Sequence, residues 1–223
     1  MATTKPAHVC LATMERVEHD AELMLRYASG DVGAFERLYA RHKGPLYRYL
    51  LRQVRDPAIA SDLFQEVWSR IVAARNRYEV RAKFATFLFK VAHHCTIDHY
   101  RRQRALPGEE SFDVQSSIET EPASPDHEQP DRIAERGEQQ SALLAAIAAL
   151  PVEQREAFLL REEAGLDVEE IARVTGVGVE TAKSRVRYAI RKLRQALAER
   201  AATPDVAVEE PVAARACARD MSG

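Results

Sequence analysis

The chain has 223 residues, 46% of them hydrophobic and 30% charged, with 32 Lys and Arg against 34 Asp and Glu and a formal net charge of -2. That apolar content excludes a wholly disordered chain, nine Gly and ten Pro exclude collagen-like or linker-like sequence, and no apolar run reaches the ~18–20 residues that span a bilayer. The length suits one or two domains, and a near-neutral total argues against a nucleic-acid partner only if the charges are evenly spread.

Residues 1–19 read as a flexible N-terminus. Lys5, His8, Glu15, Arg16 and Glu18 interrupt any apolar signal core, and Met14 is an alternative start. The three cysteines, Cys10, Cys95 and Cys217, are odd in number and far apart. That pattern is neither a disulfide framework nor a structural zinc site, and it implies a reducing, cytoplasmic setting.

From there the pattern is helical almost throughout. A first helix covers Ala21–Ala28 and stops at Ser29-Gly30. Asp31 is an N-cap for the next, whose apolar set is Phe35, Leu38, Tyr39, Leu46 and Leu50, and Gly44-Pro45 either kinks that helix or splits it in two. Asp56-Pro57 reads as N-cap plus proline at the first helical position. The helix that follows carries Ala60, Leu63, Phe64, Val67 and Ile71 as a buried stripe. Its opposite stripe holds Asp62, Gln65, Glu66 and Ser69, and Trp68 lies off the buried line. This is either a solvated face or a protein-docking face with a partly exposed Trp68 as anchor.

Another helix runs from about Phe84 to Arg104. Around it Lys83 and Lys90 interleave with Phe84, Phe87 and Phe89, a chemistry suited to single-stranded DNA, where cations track phosphates and rings stack on bases. Phe84 and at least one of Phe87 and Phe89 are expected in the core. His93, His94, Cys95 and His99 lack an evident fourth metal ligand, so no metal is assigned.

Residues 106–138 change character. Pro107, Pro122, Pro125 and Pro130 sit among acids and serines, the mark of an extended, flexible linker. Helices resume near Gln139, break at Leu150-Pro151, and end again at Gly165. Asp167 and Glu170 form a capping box, with Leu166 and Ile171 at the staple positions. A short helix Val168–Thr175, the turn Gly176-Val177-Gly178 and a second helix to about Arg200 then complete a helix-turn-helix. The second helix packs through Ala182, Val186, Ala189, Ile190 and Leu193. In a major groove, Glu180, Thr181, Ser184, Arg185 and Tyr188 would face bases, and Lys183, Arg187 and Lys192 would sit nearer phosphates. The plain alternative is a basic amphipathic helix in a bundle. Residues 201–223 read as a disordered tail. The expected architecture is all-α: two small helical domains, 20–105 and 139–200, joined by the acidic linker.

The charge pattern follows these boundaries. Residues 70–104 carry net +7 and residues 173–200 net +6, while 105–141 carry net -8 and 142–172 net -5. Two compact positive blocks fit a polyanion contacted at two points. The acidic linker is expected to fold back onto a basic face in the free protein. No P-loop, nucleophile-elbow or zinc-protease signature is present, so neither an enzyme nor a cofactor is expected.

Together these motifs resemble the bacterial sigma-70 family of RNA polymerase sigma factors, in its compact extracytoplasmic-function group. Gly30-Asp31 with Ala34-Phe35 and Leu38-Tyr39 resembles the opening motif, and Asp62 to Trp68 the polymerase-docking motif. Phe84 to Leu88 and Asp98 to Arg102 resemble the segment that melts and reads the minus-ten element. Leu150 to Arg155, Phe158 to Leu160, Glu170 to Ala172 and Thr181 to Arg185 resemble the domain that binds the minus-thirty-five element. The resemblance implies that Asp62, Gln65 and Glu66 contact the clamp of the largest polymerase subunit. It implies that His94 and Asp98 read minus-ten bases beside a pocket made by the loop Asn76–Lys83, and that Arg101, Arg102 and Arg104 hold the backbone. It implies core polymerase, promoter DNA and an anti-sigma factor as partners, without membrane insertion. Trp68 stands where Phe is common, Phe87 where Trp is usual, and His94 where Asn is usual. The rival reading is a stand-alone helix-turn-helix regulator.

Overall fold

The computed structural model describes residues 19–105 and 130–202. The N-terminal unit comprises α1 (Asp20–Ala28), α2 (Val32–Val54), α3 (Pro57–Ala74), a 3-10 turn (Arg75–Arg77) and α4 (Phe84–Ala105). The C-terminal unit comprises α5 (Pro130–Ala148), α6 (Val152–Glu162), α7 (Val168–Thr175) and α8 (Val179–Ala202). Among the described residues there is no strand, and no helix is long and apolar enough to cross a membrane. The expected N-terminal segment, the tail and the body of the linker lie outside the described residues.

Local chemistry starts and stops these helices. The Asp31 carboxylate accepts from the Ala34 amide at 3.1 Å. Asp56 accepts from Ala58 and Ile59 at 2.8 and 3.0 Å, with Pro57 occupying a position where no amide is needed. At α7 both halves of the capping box form: Glu170 N donates to Asp167 at 2.8 Å, and Asp167 N donates to Glu170 Oε2 at 3.0 Å. Gly176 ends α7 with φ at 70°, a left-handed conformation that glycine adopts without steric cost.

One boundary resolves an open expectation and one differs. Of the two outcomes expected at Gly44-Pro45, the split does not occur: α2 runs continuously for 23 residues, and the packed face of Leu38, Leu46, Tyr49 and Leu50 outweighs one missing backbone bond. The helix after the linker starts at Pro130 rather than near Gln139. Proline is suited to the first helical position, so Pro130 starts the helix instead of extending the linker.

In the N-terminal unit Leu23 and Met24, Leu38, Leu46, Tyr49 and Leu50, Leu63, Val67 and Ile71, and Phe84, Leu88, Phe89 and Cys95 form the core. In the C-terminal unit Leu159, Leu160, Ile171, Val174, Val186 and Leu193 do so. Each large apolar side chain so buried contributes about 1.5–3 kcal/mol. The two cores are continuous with one another, because α6 and α7 lie against α2 and α4.

Polar contacts cross that junction. Tyr49 donates to Glu156 Oε1 at 3.1 Å, and His93 Nδ1 lies 2.5 Å from the same oxygen. Arg48 donates to Glu163 at 2.8 Å, and Arg52 donates to the other oxygen of that carboxylate. Thr86 and Lys83 donate to the two oxygens of Glu170, each at 3.0 Å. Arg155 reaches Gln53, and Arg55 donates to the Ala148 carbonyl at the end of α5.

Candidate docking and nucleic-acid interfaces

The outward stripe of α3 presents Asp62 and Gln65 to solvent. Glu66, on the same stripe, is already engaged: its carboxylate pairs with Arg70 at 2.5 Å and with Arg102 at 3.6 Å. Trp68 corrects the expectation of an exposed anchor. It is only 6% exposed, its ring edge-on to Phe35 at 5.7 Å and 5.0 Å from Tyr39. The reason is that α2 covers a second sector of α3, so Phe64, Trp68 and Ile71, at i, i+4 and i+7, form a further seam. That spacing was the available signal. The indole Nε1 is buried without a hydrogen-bond partner.

The face of α4 is basic and cleft. Phe84 and Phe89 are buried at 1% and 0% exposure, while Phe87 is half-buried and packs against Tyr78 at 5.4 Å. The aromatic stretch therefore divides into core rings and one ring at a surface. Tyr78, Phe87, Thr86, Arg77, Arg81 and Lys90 line a cleft of about 490 Å³, whose rim Arg173 of α7 completes. This cleft supplies two rings and several cations, enough to hold an unpaired base against an aromatic face with its phosphates balanced. Of its lining, the sequence singles out Phe87 and Lys90 individually, and the loop holding Tyr78 and Arg81 is expected as a pocket.

A second cleft, of about 510 Å³, is lined by Arg70, His93, His94, Ile97, Asp98 and Arg101. It brings together three of the expected minus-ten residues, His94, Asp98 and Arg101. Asp98 lies 3.6 Å from Arg70 and 3.9 Å from Arg101. Burial, then the neighbouring His93 and Lys90, hold the His94 imidazole below its usual pKa. Neutral at neutral pH, it offers one donor and one acceptor to a base edge. Arg101, Arg102 and Arg104 are exposed along the last turns of α4. Lys83 is instead turned onto Glu170 and Asp167, at 3.0 and 4.0 Å. Cys95 is fully buried and its thiol is pushed up to about 11 by burial, so it faces the core and not a ligand.

In α8, Ala182, Val186, Ala189 and Leu193 pack inward. Glu180, Thr181, Lys183, Arg187, Tyr188 and Lys192 are exposed, and Ser184 and Arg185 half-buried. Tyr188 is flanked by the guanidiniums of Arg187 and Arg191 at 5.2 and 4.9 Å from its ring. Lys183, Arg187, Arg191 and Arg194 line a groove of about 450 Å³, joined by Arg161 from α6. Arg161 had no signal in the sequence, because it belongs to a different helix and a mixed-charge stretch.

A helix-turn-helix with a polar, cationic second helix, coupled to a second helical unit with a cationic aromatic cleft, defines a transcription factor that meets DNA at two places. Comparison makes the class specific. Residues 38–106 match the family described as sigma-70 region 2, and residues 140–193 that described as sigma-70, region 4. The RNA polymerase sigma factor CarQ of Myxococcus xanthus is 31% identical over 176 residues, 79% of this chain and 96% of that protein. The RNA polymerase sigma-H factor of Pseudomonas aeruginosa is 30% identical over 185 residues, 81% and 96% of the two chains. The ECF RNA polymerase sigma factor SigC of Mycobacterium tuberculosis is 32% identical over 176 residues, 78% and 89%.

Two solved structures share the fold. CnrH in complex with the cytosolic domain of CnrY gives a TM-score of 0.58 at 20% identity, covering 82% of this chain and 99% of that one. RpoE in complex with the anti-sigma factor NepR from Bartonella quintana gives 0.55 at 22% identity, covering 74% and 96%. The chain belongs to the sigma-70 family, in its extracytoplasmic-function group. As a sigma factor it binds core RNA polymerase and directs it to promoters.

Proposed function

We propose that this sigma factor docks on core polymerase through the exposed part of α3 around Asp62 and Gln65, with Glu66 at its edge. The clefts of α4 take the minus-ten element as single strand. His94 and Asp98 read bases, Phe87 and Tyr78 stack, and Lys83, Lys90, Arg101, Arg102 and Arg104 balance phosphates. The N-terminal half of α8 reads the minus-thirty-five element through Glu180, Thr181, Ser184, Arg185 and Tyr188, with Lys183, Arg187 and Lys192 on the backbone. The observation that carries this is the pairing of two unlike cationic surfaces on one chain, an aromatic cleft and a helix-turn-helix. Each well-read duplex position would contribute about 1–3 kcal/mol of discrimination. The protein acts in the cytoplasm and has no catalysis of its own. An anti-sigma protein is a further proposed partner, supported by the two solved relatives, CnrH in complex with the cytosolic domain of CnrY and RpoE in complex with the anti-sigma factor NepR.

Run-off transcription with purified core polymerase tests the assignment. Promoter-specific transcripts are expected. Asp62→Ala or Gln65→Ala should weaken core association, and Arg185→Ala should lower promoter use with core association unchanged. Tight duplex binding without any core association would replace this reading with that of a stand-alone regulator.

A further inference from the structure

Arg70 stands between the docking stripe and the cleft that holds His94 and Asp98. That cleft is lined from α4 except at Arg70, which α3 supplies. Arg70 Nη2 lies 2.5 Å from Glu66 Oε1 and 3.6 Å from Asp98 Oδ2. The second oxygen of each carboxylate meets a further cation: Glu66 Oε2 faces Arg102 at 3.6 Å, and Asp98 Oδ1 faces Arg101 at 3.9 Å. Five side chains thus alternate in sign across the surface shared by α3 and α4, in the order Arg102, Glu66, Arg70, Asp98, Arg101.

The two cations on Asp98 are not equivalent. Arg101 follows Asp98 by three residues on the same helix, and its side chain is 77% exposed. It moves with α4 and gives Asp98 no fixed point outside that helix. Arg70 belongs to another helix, and its contact with Glu66, one turn away on α3, fixes where Nη2 stands. An ionised carboxylate only accepts hydrogen bonds, so the direction of its free lone pairs decides which base donor it meets. A reading group that is loosely held discriminates poorly. Arg70 also offsets the charge of Asp98, which otherwise repels the phosphates of the strand. The Arg70 and Asp98 side chains are 42% and 44% exposed, and pairs that face water to this extent contribute little to folding. The cluster therefore does more for orientation than for stability.

We propose that Arg70 is a positioning residue for minus-ten recognition: it holds the Asp98 carboxylate in the direction that accepts from a base, and so sets selectivity at the position that Asp98 reads. The inference rests on the proposed reading of a minus-ten base by Asp98, and it brings α3, otherwise the docking helix, into promoter choice.

The test uses holoenzyme reconstituted with saturating core polymerase and a set of promoters in which each minus-ten position is substituted in turn. Selectivity is the ratio of run-off transcripts from the preferred promoter to those from a substituted one, a ratio that cancels changes in core association or in the amount of active protein. Asp98→Asn identifies the position that Asp98 reads. At that position Arg70→Ala should lower selectivity at least about fivefold, with selectivity at the other positions within about twofold of the parent. Arg70→Lys should restore at least half of the loss on a logarithmic scale, because both carboxylates meet a single nitrogen, which an ammonium can replace. The double variant Arg70→Ala with Asp98→Asn should lose no more than the worse single variant, since both remove one interaction. Arg70→Gln repeats the measurement should Arg70→Ala fail to fold. Selectivity that is unchanged in a folded Arg70 variant, lowered equally at every position, or no better in Arg70→Lys than in Arg70→Ala overturns the proposal while Asp98→Asn still marks its position. An Asp98→Asn variant as selective as the parent at every position instead removes the reading by Asp98 itself, and the role of Arg70 with it.

Discussion

Trp68 carries the most direct lesson at the scale of one residue. Its ring fills the seam between α2 and α3, yet its Nε1 is buried without an acceptor. An orphaned buried donor costs about 1–3 kcal/mol, and a smaller ring forfeits a comparable amount of packing. Trp68→Phe should therefore leave chemical-denaturation stability within about 1 kcal/mol of the parent, whereas Trp68→Ala should lose about 3–5 kcal/mol. Core association should follow the stability of each variant, because the residue supports the docking face from behind. Cys95 gives a second expectation. With its thiol pushed up to about 11 by burial, about one in a thousand is ionised at pH 8. In a chain with Cys10 and Cys217 replaced by serine, alkylation should be slow until denaturant unfolds the protein. Asp20 gives a third. Its hydrogen bonds from His42 and Arg41, at 2.7 Å each, hold its carboxyl below the usual range. That contribution is present above the unfolded carboxyl's range and is lost as pH falls through the lowered folded value. Asp20→Asn should lower the melting temperature clearly near about pH 5, and the difference should close toward about pH 3.

At the scale of the element, what was legible was local. Asp31, Asp56 and the pair Asp167 with Glu170 announce helix starts because a cap is decided within four residues. The stripe of Ala60, Leu63, Val67 and Ile71 announces a buried face because one helix suffices to define it. The burial of Trp68 depends on where α2 lies, which no window of α3 contains. Pro130 reads as linker because its acidic surroundings dominate the composition, although proline at a first turn favours a helix. The cap of α7 offers a measurable test. Asp167→Ala should cost about 1 kcal/mol of stability. It should also loosen the helix-turn-helix, read as reduced amide-exchange protection in α7 ahead of the remainder of the C-terminal unit.

For the whole molecule, the two-unit helical plan and its two cationic surfaces were visible in the charge blocks, but the junction between them was not. The sequence suggested that the linker would shield a basic face. That linker lies outside the described residues; within them the next acidic block, 142–172, meets the cations through Glu163 and Glu170. Pairings more than 60 residues apart leave no periodicity to read. The molecular scale also governs salt response. Promoter binding by the assembled polymerase should weaken steeply with added salt, and Arg187→Ala should reduce the slope of log affinity against log salt by about 1 without changing which promoter is chosen.

The order of the charges along the chain also has a consequence in time. On a ribosome the cationic unit is completed at Ala105, and the glutamates that cover it lie up to about 65 residues later. At about 5–20 residues per second that is an interval of roughly 3–13 seconds. Throughout it the newborn N-terminal unit is bare, beside a ribosome rich in phosphate. The acidic stretch from Glu109 to Glu138 is the first charge to follow it out, and gives the nascent chain an early counterweight until α6 and α7 arrive.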